Sequence, residues 1–151
     1  MDTLDERIAS MNQVITRWAK HDPRAPLLTS MPGIGDYSAA IIVAEIGEIE
    51  RFPDAKHLCS YAGLVPSVRN SDSKVRHGHI TKEGSSWLRW IMVSAAQRAL
   101  AASPCLATFF ERIAQTQGRK TARIALARKM LSIVYAMLQR SECFHEMNPP
   151  G

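Results

Sequence analysis

The sequence predicts a mainly α-helical fold, in which a helix-hairpin-helix-containing domain follows an amphipathic, coiled-coil-like helix and is interrupted by one long basic loop. Apolar residues recur at spacings of three and four over most of the chain, the periodicity of helices that bury one face. Glycine and proline concentrate at a few positions, which mark the breaks between helices. With 151 residues, 46% of them apolar, the chain is long and apolar enough for one hydrophobic core.

The first predicted element is an amphipathic connector helix within residues 1–25. Its apolar positions recur at spacings of four, three, four and three residues: Leu4, Ile8, Met11, Ile15 and Trp18. This spacing is typical of a coiled-coil seam. A lone helix cannot bury such a stripe, so the helix either packs on the domain or pairs with another chain. The prolines that follow His21 end it, because the residue before a proline disfavours helical geometry.

A glycine turn made by Gly33, Ile34 and Gly35 is the next feature. A short helix over residues 27–29 and a second over residues 36–46 are predicted to flank it, in the pattern of a helix-hairpin-helix motif. Glycines allow a close backbone approach, and the helix that follows offers free N–H groups and a positive dipole end. These features suit a phosphate bound independently of base sequence. The alternative is a purely structural turn.

Two helices are predicted on either side of the basic loop. Residues 52–61 form the first, with Asp54 as its N-cap, and residues 63–81 form the loop or a short hairpin. Residues 83–102 form the second, with Arg89 and Arg98 facing outward. Its inward positions are expected to be Leu88, Ile91, Met92 and Ala95.

Two further helices complete the predicted domain, which spans residues 26–144. Pro104 suits the first turn of a helix that runs to residue 117. After Gly118, the last helix covers residues 120–140, and residues 145–151 form a frayed tail. The positions predicted to be buried in the last helix are Ile124, Ala127, Met130, Leu131, Val134 and Met137.

Charge is distributed unevenly along the chain. Residues 1–68 carry six Lys/Arg against nine Asp/Glu, whereas residues 69–151 carry thirteen against five. From Arg112 to Arg140 there are seven cations and no carboxylate. This asymmetry favours a polyanionic partner, DNA or RNA, for the second half; a merely solvated basic face is the alternative. Outside the loop, the candidate phosphate-binding cations are Arg89, Arg119, Lys120 and Arg123.

The spacing of the cysteines and the length of the apolar runs indicate the cellular compartment in which the protein works. Cys59, Cys105 and Cys143 are widely spaced and form no Cys-x-x-Cys motif, so the sequence favours a reducing cytoplasm with neither a disulfide framework nor zinc. The longest apolar runs are too short for a membrane span, and the first residues do not resemble a signal peptide. We therefore expect a cytoplasmic, nucleoid-associated protein without a membrane partner and without a cofactor in this chain.

The basic loop places a serine among cations. Ser71 lies between Arg69 and three further cations, Lys74, Arg76 and Lys82, on a segment rich in turn-forming residues. Arginine offers bidentate donors and lysine a point charge, so this grouping suits a site that handles phosphates.

These motifs together resemble the C-terminal domain of the IS110 family of bacterial insertion-sequence transposases. The matching pieces are Pro-Gly-Ile-Gly at residues 32–35, Tyr-Ala-Gly-Leu-Val-Pro at 61–66, Lys-Val-Arg-His-Gly at 74–78, Ile-Thr-Lys-Glu-Gly at 80–84 and the basic run at 118–129. They occur in the family's order and extend over about three quarters of the chain.

The resemblance implies a role in cutting and rejoining DNA during transposition. In that family an N-terminal ribonuclease-H-like domain supplies four acidic residues and divalent metal, Mg²⁺, and the C-terminal domain supplies a serine nucleophile. Several members are guided by a bridge RNA that pairs with donor and target DNA, so the expected partners are DNA and a guide RNA. We expect the acidic domain in a longer chain, and the isolated domain to be inactive.

The family's serine precedes a lysine in a Ser-Gly-Gly-Lys-like run. Aligning that lysine with Lys74 places Ser71 at the nucleophile position. Asp72 and Ser73 stand where the family shows small residues, which leaves Ser73 and Ser67 as alternative nucleophiles. His77 or His79 could carry the serine proton.

Two competing hypotheses remain open from sequence. The chain could be a non-catalytic helix-hairpin-helix module that only binds nucleic acid. It could also be an assembly domain whose first helix drives homo-oligomerisation while its charge is incidental.

Overall fold

The computed structural model describes residues 3–65 and 84–144, and all regular structure in these two stretches is helical. This confirms the mainly α fold. The elements are α1 Thr3–His21, α2 Arg24–Thr29, α3 Asp36–Ile46, a 3₁₀ turn Ile49–Arg51, α4 Ala55–Tyr61, α5 Ser86–Ala102, α6 Pro104–Gln117 and α7 Arg119–Arg140. The tail 145–151, predicted to fray, lies outside the described residues.

Helix α7 is the centre of the domain. It contacts α4, α5 and α6 along its length, and it also touches α2 and the 3₁₀ turn. Its 22 residues contain no glycine or proline, and most of its inner face consists of alanine, leucine and methionine, which are among the best helix formers. Burying this face removes a large apolar area from water, which is the main stabilising term of the fold. The buried positions include Leu126, Ala127, Met130, Leu131, Val134 and Met137.

One predicted core position of α7 is wrong. Ile124 is 38% exposed, whereas Ala127 and Leu131, which share its helical stripe, are fully buried. Periodicity identifies the stripe correctly but not where the neighbouring helices stop covering it. Ile124 therefore lies on a side of α7 that the neighbouring helices leave partly uncovered, although Ala122 in the first turn is fully buried. The inward positions predicted for α5 are all buried, as expected.

Side-chain caps fix the starts of three helices. The Asp54 carboxylate accepts from the His57 amide at 2.9 Å, which confirms the predicted cap of α4. Ser85 caps α5 by accepting from the amide of Leu88 at 3.0 Å. The hydroxyl of Ser103 does the same for α6, which begins at Pro104 as predicted. Each such cap typically stabilises a protein by about 1 kcal/mol. Because Asp54 is extended, α4 begins after it, and the predicted start at residue 52 was too early.

Helix α1 meets the domain only at its C-terminal end. Trp18 packs against the core, and its indole N–H donates 3.0 Å to Asp22. Asp22 also pairs with Arg24 at 2.9 Å, and this hydrogen-bonded guanidinium lowers the carboxyl pKa to about 2. Nothing in α1 is fully buried. The residues of its first three turns that belong to the apolar stripe stay exposed: Leu4, Ile8 and Met11.

Candidate nucleic-acid interface

The two glycines of the turn between α2 and α3 have different structural roles. Gly33 has a φ of +89°, and a Cβ there would overlap the Ala95 carbonyl oxygen of α5. Gly35 has an ordinary φ of −103°, and a Cβ there would meet no atom within 4 Å. Gly33 is therefore needed for close packing of the turn against α5. Gly35 leaves open space in front of the first turn of α3.

Only the backbone of this turn is available to a ligand, because the Ile34 side chain is buried. Arg98 of α5 donates to the Gly33 carbonyl at 3.1 Å and to the Ser38 hydroxyl at 3.0 Å, which places a cation beside the start of α3. Gly35 offers no side-chain cap, so the first amides of α3 stay open. The exposed Asp36 carboxylate opposes an anion there. Helices flank the turn as the helix-hairpin-helix pattern requires, but that assignment and its phosphate role stay predictions.

The residues that flank the serine segment, residues 66–83, meet at the C-terminus of α4. The Tyr61 carbonyl accepts from the Ser85 amide at 2.7 Å, and the Leu64 amide donates 2.9 Å back to Cys59. Gly84 lies so close to Tyr61 that a Cβ would overlap the carbonyl oxygen. The Ser85 hydroxyl also hydrogen-bonds to Glu45 of α3. The residues on either side of the serine segment are therefore held together by the main-chain hydrogen bond between Tyr61 and Ser85.

An open groove of about 300 Å³ lies beside these anchors. The Arg51 guanidinium lies 4.8 Å from the Phe52 ring and 5.0 Å from the Tyr61 ring, and it donates to the Ile46 carbonyl at 3.0 Å. His57 also lines the groove. Sequence reasoning missed Arg51 and His57 as candidate site residues because both lie in the acidic half of the chain, where no local motif marks them.

His57 is paired within this groove. Its Nδ1 lies 2.7 Å from the Asp54 carboxylate, and these hydrogen bonds lower the pKa of that carboxyl. The pair is exposed to solvent and forms part of the cap of α4.

The start of α5 carries two exposed tryptophans and one arginine. Arg89 is half-buried, and the flanking Trp87 and Trp90 are 60% and 50% exposed. Their indole rings contact each other edge to face, with ring centroids 6.0 Å apart.

Three of the cations predicted to bind phosphate lie at the start of α7. Arg119 and Lys120 are exposed and Arg123 is half-buried, and no acidic residue lies in the first turn. Gly118 provides no side-chain cap, so the helix N-terminus adds its own partial positive charge. Within residues 3–65 and 84–144, Lys120 and Arg123 have no ion-pair partner, whereas Arg119 lies 3.6 Å from Glu111.

Aromatic rings of α6 make cation–π contacts with neighbouring cations. Arg119 stacks over Phe110 at 4.9 Å. Lys129 and Arg112 approach the Phe109 ring at 4.7 and 5.7 Å. Because the rings are uncharged, these contacts position the Arg and Lys side chains on the α6–α7 surface and leave their positive charge unneutralised.

Comparison with known proteins shows to which family this chain belongs. The model of the transposase IS116/IS110/IS902 family matches residues 25–111, more than half of the chain. The chain belongs to this transposase family. It is 30% identical to the insertion element IS110 uncharacterized 43.6 kDa protein of Streptomyces coelicolor, over all of this chain and 38% of that protein.

Other relatives have names that refer to DNA rearrangement. A probable family 20 transposase of Pseudomonas aeruginosa is 26% identical over 95% of this chain and 44% of its own length. A pilin gene-inverting protein of Moraxella bovis is 32% identical over 87% of this chain and 42% of its own length. The chain thus spans less than half the length of these relatives, as expected for the C-terminal domain of a transposase of this family.

The structure does not gather all predicted residues of this transposase domain into one site. The Ser30 hydroxyl, just before the glycine turn, accepts from the Phe144 amide at 2.8 Å, so the turn lies near the C-terminal end of α7. Arg119, Lys120 and Arg123 lie at its other end. A helix of 22 residues is about 33 Å long, so the two groups would contact different phosphates.

The loop residues of this transposase domain lie outside the described residues: Ser67, Arg69, Ser71, Ser73, Lys74, Arg76, His77, His79 and Lys82. Among residues 3–65 and 84–144, no cluster of three His, Cys, Asp or Glu could hold a metal ion, so the described part of this chain does not fit the divalent metal that the family resemblance implies. Within the same ranges no helix is long and apolar enough to cross a membrane.

Proposed function

We propose that this chain is the nucleic-acid-binding C-terminal domain of a transposase and supplies a serine nucleophile for DNA cleavage and rejoining. The observation that carries the proposal is the family match over residues 25–111, which contains the whole serine segment. The described cations support it, because they lie on the helices that follow this segment. DNA is the proposed partner, with a guide RNA as the second polyanion that the family resemblance implies.

The proposed chemistry is a transesterification. The Ser71 Oγ gives up its proton and attacks a DNA phosphorus, a phosphoserine bond forms, and one bond from phosphorus to a deoxyribose oxygen breaks. The deoxyribose oxygen that leaves takes up a proton. A hydroxyl of another strand later attacks the same phosphorus, the bond to the serine oxygen breaks, and that oxygen regains a proton. Positive charge must surround the phosphoryl oxygens in the transition state, a role we assign to Arg69, Lys74 and other loop cations. Ser73 and Ser67 are the alternative nucleophiles.

DNA binding by the α7 cations can be tested on the 151-residue chain. Its affinity for duplex DNA should fall steeply with salt, by about 0.9 log unit per log unit of salt for each phosphate contact. Replacing Arg119, Lys120 and Arg123 with alanine should lower the affinity for all sequences alike and reduce the salt slope by about 2 to 3. Fluorescence anisotropy across a salt series measures both quantities.

A matched control removes the same number of charges elsewhere. Arg7, Arg17 and Lys20 are exposed cations of α1, so their triple alanine variant changes net charge equally without touching α7. It should keep most of the salt slope. Equal losses in both variants would mean that net charge alone drives binding, and absence of binding at low salt would refute the DNA-binding role.

The alternative function is a non-catalytic helix-hairpin-helix module. The placement of helices around Gly33 and the open first turn of α3 favour it. Both functions predict DNA binding, and only the first predicts a covalent serine–DNA intermediate. The Ser71 variant argued in the Discussion separates them.

We also propose that α1 joins copies of the chain. The first three turns of its apolar stripe are exposed in the described structure, and the stripe has the spacing of a two-helix seam. Self-association would bury it and bring two nucleophile-bearing domains together.

A further inference from the structure

Exposed large apolar side chains are rare outside α1. In the rest of the described chain they are Tyr37, Trp87, Trp90 and Ile124. Two of these four are tryptophans three residues apart on α5, on its outer face. The core already has its anchors from this helix, Leu88, Ile91 and Met92. The fold of this domain therefore does not account for the two indoles.

The geometry of the pair leaves aromatic faces available. The ring planes of Trp87 and Trp90 are inclined at 88°, so the pair is edge to face. In that arrangement one ring presents an edge, and neither of its faces is covered by the partner ring. Trp18 behaves differently, since it is packed on the core and its indole N–H is bound by Asp22.

The charge around the pair suits a polyanion. Between residues 84 and 110 the sequence has two cations, Arg89 and Arg98, and no carboxylate, and the Glu45 carboxylate that reaches this helix from α3 is hydrogen-bonded to Ser85. Arg89 lies between the two tryptophans in sequence. A second cation, Arg51, lines the groove described above, and Gly84, two residues before the start of α5, lines the same groove. An apolar protein partner would gain nothing from these cations, whereas a nucleic acid strand presents both bases and phosphates to them.

We propose that Trp87 and Trp90 form a stacking platform for unpaired bases of a single-stranded nucleic acid, with Arg89 binding the adjoining phosphate. The inference rests on the proposed nucleic-acid-binding function and specifies its ligand. Duplex bases are already stacked on each other, so only an unpaired segment can use the exposed rings. Aromatic stacking tolerates any base, so binding is independent of base sequence.

The test compares three probes with the 151-residue chain: oligo-dT, oligo-rU and duplex DNA, each of about twelve nucleotides or base pairs. Trp87→Ala and Trp90→Ala should each weaken single-strand binding about 5- to 100-fold and leave duplex affinity within about twofold. Single strands should quench tryptophan fluorescence in the natural chain. The double variant should lose this quenching although Trp18 remains. The DNA and RNA arms show which strand is preferred, and binding of either supports the platform.

Conservative variants distinguish stacking from apolar docking. Trp87→Phe and Trp90→Phe should keep most of the single-strand affinity, because phenyl rings still stack. Trp87→Leu and Trp90→Leu should lose it, although the surface stays apolar. Ile124→Ala, an exposed apolar truncation on α7, should have no effect. Thermal unfolding of each variant confirms that the helix is intact.

The outcomes separate this inference from the proposed function. Duplex binding that persists while single-strand binding is unchanged in the Trp variants would overturn the platform alone. Rescue by leucine, or loss of chain self-association in the alanine variants, would assign the surface to a protein partner and overturn it. Absence of binding to every probe would overturn both proposals.

Discussion

At the scale of single residues, Gly33 and Arg98 together join the start of α3 to α5. Gly33 lets its backbone lie against Ala95, and Arg98 hydrogen-bonds to the Gly33 carbonyl and the Ser38 hydroxyl. The sequence identifies both glycines of the turn as equivalent candidates for phosphate contact. It could not separate their roles, because the overlap at Gly33 comes from a helix more than 50 residues later in the chain. Only a long-range contact shows which glycine is structural.

Alanine at position 33 should therefore destabilise the domain. The left-handed φ of +89° costs a side chain about 1–2 kcal/mol, and the Cβ overlaps backbone, which cannot move aside alone. We expect Gly33→Ala to lower the free energy of unfolding by more than about 2 kcal/mol. Gly35→Ser is the matched control: serine is a good N-cap, so its effect should be neutral or stabilising by a few tenths of a kcal/mol. Urea denaturation measures both, and equal stability of the two variants would contradict the packing role.

At the scale of elements, the bounds of the helices were largely predictable from the sequence, whereas the contacts between helices were not. The predicted bounds of α3 and α6 are confirmed, since glycine, proline and cap residues mark helix ends locally. The 3₁₀ turn at Ile49–Arg51 was missed, because three residues carry too little periodicity. Ile124 was misplaced because burial depends on which neighbours reach a helix. The same limit left the packing of α1 undecided from sequence.

Helix α1 should mediate contact between copies of the chain. Because Leu4, Ile8 and Met11 are exposed, burying them in a second α1 would remove apolar surface from water. We expect Ile8→Lys with Met11→Lys to convert an associated species into a monomer at tens of micromolar, measured by light scattering.

Ser10→Lys with Gln13→Lys adds the same charge to the polar side of α1 and should leave the mass unchanged. A natural chain that is monomeric throughout this concentration range would show that α1 does not join copies of it.

At the scale of the whole molecule, the sequence locates the charge, and the structure shows how it is divided. The basic half predicted from composition becomes one group of cations near α5 and another at the start of α7, with α7 packed between helices that share one core. Sequence order could not show this separation. The serine segment, by contrast, was recognisable from local motifs alone, and its ends meet at Tyr61 and Ser85. Both groups of cations therefore lie on helices that follow the serine segment in the chain.

The decisive prediction concerns Ser71 in a full-length transposase that carries this chain as its C-terminal domain. Ser71→Ala should abolish strand exchange and the covalent protein–DNA adduct, because no other group would supply the attacking oxygen. Nucleic-acid affinity should be unchanged, and the free energy of unfolding should change by no more than about 0.5 kcal/mol, since only one hydroxyl of the loop predicted from sequence is removed. Ser67→Ala and Ser73→Ala are the matched controls and should remain active. Loss of activity in one of them instead would reassign the nucleophile, and activity in all three would leave the domain a binding module. The isolated chain should bind DNA without cleaving it, so metal-dependent nicking by it would show that no other domain is required.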